Sequence, residues 1–200
     1  MRELVYVLDT YCGWCYGFGP TVRELAADPE VSLTVRHGAL FTGDRSAPIG
    51  QYGHIPAANA RIPALTGVEF GQGYEAMLAE GSTIMDSNDA ARGLMALRQV
   101  AGEDRALDAV LALQAAFYRE GLSLSSEAAY DFAAERLGVD AEAVRVALKD
   151  ANVAARAAAE QQQVLGMGVD HYPTLLAVTD RGLVEVGSLT ASAAEIKAAL

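Results

Sequence analysis

The sequence of 200 residues has little positive charge, few cysteines and no long apolar run. Its 15 lysines and arginines face 26 aspartates and glutamates, which gives a formal net charge of −11. Because such a charge repels phosphate backbones and anionic lipids, we expect neither nucleic acid nor a membrane as a partner. No apolar run approaches the roughly 20 residues of a membrane-spanning helix. The first apolar run stops at Asp9, so we expect no signal peptide and a cytoplasmic protein.

The only two cysteines of the chain lie together in Cys12-Gly13-Trp14-Cys15. A secreted scaffold would spread its cysteines so that disulfides join distant segments. A zinc site would need two further ligands at suitable spacing. The histidines that could supply them lie far apart along the chain, at His37, His54 and His171. The pattern therefore favours a redox-active pair, which needs neither a metal nor an organic cofactor, over half a zinc site or inert thiols.

The start of the chain has the pattern of two strands joined by a helix. Leu4–Leu8 is a short apolar run typical of a buried strand, and the cysteine pair follows it directly. Helical spacing then appears over Thr21–Ala27, and Val31–Val35 alternates between apolar and polar residues, which predicts a second strand. A strand, helix and strand of this length favour parallel strands joined by a right-handed crossover.

Strand patterns return only near the end of the chain. Residues 38–56 are rich in glycine and proline and predict a loop, and helix follows helix from there to about residue 165. Thr174–Thr179 and the segment after it predict a hairpin, followed by a last helix. We therefore predict one small α/β domain formed by residues 1–38 and 168–200. Residues 39–167 are predicted to be a linker and a helical insertion domain.

The spacing of the two cysteines suits thiol–disulfide exchange. At the start of a helix, the sulfur of Cys12 would face unpaired backbone amides and the positive end of the helix dipole, which favour the thiolate. Cys15 lies one turn further on the same face, within reach of a disulfide. We predict that a substrate sulfur approaches Cys12 and that Cys15 resolves the mixed disulfide. Trp14 is expected to be exposed beside the pair, where it can bind an apolar substrate.

Asp9 ends the first predicted strand, three residues before Cys12. A carboxylate at this place could accept the proton of Cys15 during exchange, as a general base beside a buried thiol. Alternatively, Asp9 only caps the helix or binds the backbone amides of a loop. The sequence leaves both interpretations open.

The whole arrangement resembles a known family. Cys12-Gly13-Trp14-Cys15-Tyr16 after the first strand, and Tyr172-Pro173-Thr174 before the late hairpin, resemble the DsbA-like disulfide oxidoreductases, particularly their cytoplasmic branch without signal sequences. The resemblance implies an α/β, thioredoxin-like fold with a large inserted all-helical subdomain. It makes Cys12 the nucleophile and Cys15 the resolving thiol. It also implies a cis Pro173 beside the pair, and a Tyr172 that shields the pair and binds the substrate chain through its backbone.

Three functions remain open after this comparison. The first is a thiol–disulfide oxidoreductase or isomerase that acts on disulfide-containing proteins or peptides, with glutathione as a further candidate partner. The second is an enzyme similar to kappa-class glutathione transferases or hydroxychromene-carboxylate isomerases, which share the architecture but typically lack the second cysteine. The third is a redox-responsive binding module without catalysis. Because Gly13-Trp14 supplies no cation, a strongly oxidising potential is not implied. The sequence does not distinguish a monomer from a homodimer.

Overall fold

The computed structural model describes all 200 residues and combines both ends of the chain in one mixed sheet. Six strands are present: β1 (Arg2–Leu8), β2 (Val31–His37), β3 (Ala47–Pro48), β4 (Ile84–Met85), β5 (Thr174–Thr179) and β6 (Gly182–Glu185). The main sheet has the order β2-β1-β5-β6, with β2 parallel to β1 and β5 antiparallel to it. Val5 at the centre of β1 lies between Thr34 and Leu176.

Nine α-helices complete the fold, and most of them lie in the insertion. They are α1 (Gly13–Ala26), α2 (Ile55–Thr66), α3 (Gln72–Glu80), α4 (Ser87–Ala101), α5 (Ala106–Tyr118), α6 (Glu127–Leu137), α7 (Ala141–Leu148), α8 (Ala151–Gly166) and α9 (Ala193–Ala198). Helix α4 is central to the insertion, since it packs against α5, α6, α7 and α8. No helix has both the length and the hydropathy needed to cross a bilayer.

The element order confirms the predicted α/β fold with a helical insertion. The parallel β1–α1–β2 unit and the β5–β6 hairpin lie where the sequence pattern places them. The last helix, α9, begins with a capping box in which Ser192 accepts from the Glu195 amide. One pair of strands is not predicted: β3 and β4 form a separate two-stranded sheet within the insertion. Each of these strands has only two residues, which is too short for a recognisable alternation of side chains.

Helix α1 carries the cysteine motif and is held against the sheet by one apolar face. Its buried side chains recur at helical spacing: Cys15, Phe18, Val22 and Leu25. Pro20 lies inside the helix, where it has no amide hydrogen to donate to the carbonyl of Tyr16. The helix nevertheless continues through this position to Ala26.

Helix α8 connects the insertion to the end of β2. Glu160 accepts a hydrogen bond from the His37 amide at 3.0 Å, and Gln161 donates to the Gly38 carbonyl at 3.0 Å. The largest buried apolar cluster includes both Leu4 of β1 and Leu97 of α4, so the sheet and the insertion share one core. The division into residues 1–38 with 168–200 and residues 39–167 stays a prediction.

Candidate active site

The two cysteines lie at the junction of β1 and α1, with free thiols at different depths. Cys12 precedes the first helical residue with extended backbone angles (φ −82°, ψ 114°), and its amide donates to the Asp9 carbonyl at 3.0 Å. Cys12 is 6% exposed and Cys15 is fully buried. Only Cys12 lines the neighbouring cavity. Of the two sulfurs, Cys12 is therefore the one that a molecule in this cavity can reach.

Burial raises the pKa of the Cys15 thiol well above its usual value. The neighbouring Cys12 and the negative charge of Asp9 raise this pKa further, and the backbone amide of Asp9 acts in the opposite direction. Tyr6 of β1 donates a hydrogen bond to the Cys15 carbonyl at 3.3 Å. Cys15 is therefore a protonated thiol near neutral pH, and it needs an acceptor for its proton before it can attack a disulfide.

Tyr172 and Pro173 border the cysteine pair from the far end of the chain. The Tyr172–Pro173 peptide bond is cis, as the family resemblance implies. The Tyr172 carbonyl lies 3.5 Å from the Cys12 sulfur and accepts its S–H. The Tyr172 hydroxyl accepts a hydrogen bond from the Ala39 amide at 3.1 Å, which fixes the ring. A side chain at Gly38 would overlap this ring, so a glycine is needed there.

Asp9 is fully buried beside the motif, and both of its carboxylate oxygens bind backbone amides. Oδ1 accepts from the Tyr11 amide at 3.0 Å, and Oδ2 accepts from the Leu40 amide at 2.9 Å. These contacts match the interpretation that Asp9 binds loop amides. Its effect on the pKa of Cys15 also places its charge within electrostatic range of that thiol. The role of proton acceptor stays a prediction.

Trp14 is half-buried, so the expectation of an exposed ring is wrong. The guanidinium of Arg61 lies over the ring, 5.5 Å from its centroid. Helix α2, which carries Arg61, also packs against the motif: a Cβ at Gly13 would approach Ile62 to 2.8 Å. The insertion therefore covers this side of the motif.

A cavity of about 330 Å³ opens beside Cys12, and the insertion supplies most of its wall. The wall is mainly apolar and aromatic, and includes Leu40, Phe41, Ile55, Ile62, Tyr74 and Tyr118. Tyr118 donates a hydrogen bond to the Tyr11 carbonyl at 2.6 Å, next to the motif. In the sequence Ile62, Tyr74 and Tyr118 have the pattern of ordinary helix cores and the other three lie in the predicted loop, so nothing identifies these residues as cavity residues.

His171 at the edge of the same cavity is a further residue that the sequence argument missed. Its Nδ1 lies 2.8 Å from Asp170 Oδ1, and its Nε2 lies 3.1 Å from Glu185 Oε1. The hydrogen bond with Asp170, followed by that with Glu185, raises the pKa of this imidazole above its ordinary value. The sequence signal that could have identified His171 as a site residue is its position directly before Tyr172-Pro173. No three metal-ligating side chains lie close enough to form a metal site.

Comparison with protein families gives a match along nearly the whole chain. The family model for DSBA-like thioredoxin domains matches residues 3–194. It confirms the predicted fold class and the resemblance. A search of curated proteins finds no match.

Solved structures share this fold at low sequence identity. The cytosolic disulfide reductase DsbM from Pseudomonas aeruginosa is 24% identical with a TM-score of 0.76, over 92% of this chain and 89% of that one. Its structure with GSH has a TM-score of 0.75 at 25% identity, with the same coverage. A proposed protein disulfide isomerase from Nitrosomonas europaea reaches a TM-score of 0.83 at 20% identity, over 98% and 94% of the chains. A 2-hydroxychromene-2-carboxylate isomerase also matches, with a TM-score of 0.65 at 16% identity over 86% and 84%.

Proposed function

Because the chain belongs to the family of DSBA-like thioredoxin domains, we propose that it catalyses thiol–disulfide exchange with Cys12 and Cys15. The observation that carries this proposal is the pairing of an accessible sulfur with a buried one. Cys12 lines a cavity and contacts the Tyr172 carbonyl at 3.5 Å, and Cys15 lies buried one turn behind it. A nucleophile and a resolving thiol need this difference in access.

The reaction proceeds through two exchanges of sulfur. The Cys12 thiolate attacks one sulfur of the substrate disulfide, and the other substrate sulfur leaves as a thiolate that takes up a proton. Cys15 then loses its proton and attacks the Cys12 sulfur of the mixed disulfide. The second substrate thiol leaves and the Cys12–Cys15 disulfide forms. The substrate gains two electrons, and two molecules of a thiol such as glutathione reduce the pair again while they become a disulfide.

Asp9 is the group we propose for the proton of Cys15. It is buried, it ends the strand that leads into the motif, and its charge acts on the Cys15 thiol. The amides of Tyr11 and Leu40 hold the carboxylate in place, and a positioned carboxylate is one of the side chains that act as a general base. Asp9 would thus serve the resolving step and not the first attack by Cys12.

Replacing Asp9 by asparagine separates two effects of opposite sign. The charge of Asp9 raises the pKa of Cys15, so a purely electrostatic role predicts that the variant lowers this pKa and resolves faster near neutral pH. A proton acceptor predicts a resolving step slower by about 10²-fold. We expect the slower step, with a loss that shrinks towards alkaline pH because solvent base then deprotonates Cys15.

The measurement is the decay of a preformed mixed disulfide on Cys12, followed from mildly acidic to alkaline pH. Asp108→Asn, an exposed carboxylate on α5, is the matched control and should leave the decay unchanged. A decay in Asp9→Asn that is unchanged or faster near neutral pH would exclude Asp9 as the proton acceptor.

We propose glutathione mixed disulfides and small peptide disulfides as the substrate class. A cavity of about 330 Å³ is at the small end of ligand sites. The guanidinium of Arg61 over the neighbouring Trp14 and the imidazole of His54 at the cavity suit the carboxylates of a glutathionyl substrate, whereas His171 already pairs with Asp170 and Glu185. The GSH-bound structure of the similar reductase, described as cytosolic, supports this choice and a reducing role in the cytosol.

The test is catalysed reduction, with glutathione as the reductant, of a mixed disulfide between glutathione and 2-mercaptoethanol, with insulin as a protein substrate in parallel. Faster release of glutathione disulfide than in the absence of the protein is expected with the small substrate. If only insulin reduction is faster, the proposed thiol–disulfide exchange is supported and the proposed class of small substrates is wrong. No acceleration with either substrate would contradict the proposed function.

A further inference from the structure

A second cleft, of about 490 Å³, lies along α1 and shares no lining residue with the cavity beside Cys12. Its wall on α1 is formed by residues at helical spacing: Tyr16, Gly19, Pro20 and Arg23. Helix α5 and the loop between α2 and α3 form the other walls. The exchange chemistry proposed above uses none of these residues.

Gln114 of α5 borders this cleft with a buried and unpaired amide group. The residue is 1% exposed, and neither its Nε2 nor its Oε1 has a hydrogen-bond partner. An amide buried without partners costs about 1–3 kcal/mol, so an apolar side chain would be favoured if this position served only the core. Helix α1 comes close here because Gly19 has no side chain: a Cβ at Gly19 would lie 3.8 Å from Oε1.

Two arginines without ion-pair partners face the same cleft. Arg23 lies on α1 and Arg119 follows the end of α5, and neither has a carboxylate oxygen within ion-pair distance. In a chain with a net charge of −11, two free guanidinium groups on one cleft favour an anion. Glu69 in the α2–α3 loop adds one carboxylate to the rim.

Pro20 interrupts the backbone hydrogen bonds of this wall. Because it has no amide hydrogen, the hydrogen-bond ladder of α1 has a gap at the Tyr16 carbonyl, beside the cleft. The Tyr16 ring is held in place, since its hydroxyl donates to the Glu69 carbonyl at 2.8 Å. The cleft thus combines a fixed aromatic wall with polar groups that lack partners.

We propose that this cleft binds a small carboxylate that also carries an amide group. The carboxylate fits the guanidinium groups of Arg23 and Arg119, which offer paired N–H donors. The ligand amide fits Gln114, which offers one acceptor and two donors and can form two hydrogen bonds with another amide. Glu69 at the rim accepts a remaining N–H and disfavours ligands that carry several negative charges.

The test is titration of the ¹⁵N-labelled protein with N-acetyl-L-alanine, which carries one carboxylate and one amide and has no sulfur. The expected result is a saturable shift of the Gln114 side-chain NH₂ signals together with the amides of residues 16–19, 21–23 and 67–69. N-acetylalaninamide, the uncharged analogue, and inorganic phosphate, an anion without an amide, are each expected to bind at least tenfold more weakly.

Variants connect the binding to the proposed groups. Gln114→Met keeps the size of the side chain and should weaken binding about tenfold, as should Arg119→Gln. Arg181→Gln, an exposed arginine in the β5–β6 turn, is the matched control and should have no effect. Each variant is first checked for the wild-type unfolding transition, and Gln114→Leu replaces Gln114→Met if the latter does not fold.

Three results would overturn the proposal. The first is no shift with N-acetyl-L-alanine up to about 10 mM, a concentration that would reveal a Kd of about 1 mM. The second is phosphate or the uncharged analogue binding as well as the carboxylate amide. The third is unchanged affinity in Gln114→Met, which would show that the unpaired amide takes no part in ligand binding. Because the probes contain no thiol or disulfide, these outcomes do not depend on exchange activity.

Discussion

At glutathione concentrations too low to release the adduct directly, replacing Cys15 by serine is expected to leave the substrate attached to Cys12 and to reduce turnover by about 10³-fold or more. The reason is the difference in depth between the two sulfurs. Cys12 still faces the cavity and attacks, but no buried thiol remains to release the mixed disulfide. Mass spectrometry of the protein quenched during reaction with a glutathione disulfide checks this result, which should be a single glutathionyl adduct on Cys12.

Cys12→Ser is the matched control, because it removes the accessible sulfur and keeps the buried one. Cys15 is fully buried and does not line the cavity, so this variant should form an adduct only very slowly. Equal rates of adduct formation on Cys15 would show that the assignment of the two roles is wrong. Full turnover in Cys15→Ser would favour an enzyme of the glutathione-transferase or isomerase type, which does not need a second cysteine.

Replacing Arg98 by methionine is expected to lower the free energy of unfolding by about 3–5 kcal/mol. Arg98 is 5% exposed and donates to both oxygens of Glu160, at 3.0 and 2.9 Å. Without the guanidinium, the nearly buried carboxylate keeps the His37 amide, but its only remaining charged partner is the more distant Arg36, at 3.6 Å. Urea denaturation, with the midpoint and slope fitted together, measures the loss.

The matched control for this prediction is the double variant Arg98→Met/Glu160→Gln. A glutamine at position 160 can still accept from the His37 amide and leaves no unpaired charge in the interior. The double variant should therefore be more stable than Arg98→Met alone. A loss of less than about 1 kcal/mol in Arg98→Met would mean that this ion pair behaves like one on the surface.

Local sequence patterns are sufficient to predict the helices and strands that carry the cysteine motif and the late hairpin. The apolar run Leu4–Leu8 predicts β1, and the position of the cysteine pair directly after it predicts a motif at the start of α1. The turn residues 180–182 predict the β5–β6 hairpin, and the spacing of Ser192 and Glu195 predicts the capping box of α9. Each of these signals lies within a few residues along the chain, where periodicity and capping rules apply.

The surroundings of the motif could not be predicted in the same way. Arg61 reaches Trp14 only because α2 folds back over α1, and His171 gains Glu185 as a second carboxylate partner because β6 pairs with β5. Both arrangements join residues far apart in sequence, and a single sequence gives no signal for such contacts. For the same reason the expectation of an exposed Trp14 was wrong. The sequence around Gly13 and Trp14 does not show that the insertion packs beside them.

The equilibrium between the reduced pair and the Cys12–Cys15 disulfide, in buffers of defined glutathione potential, tests the account most directly. We expect a two-electron transition with a midpoint nearer to about −270 mV than to about −120 mV, because Gly13-Trp14 supplies no cation to stabilise a thiolate. Mass measurement after alkylation counts the free thiols at each potential. We expect both thiols to disappear together. If no intramolecular disulfide forms at any potential, the dithiol mechanism is contradicted.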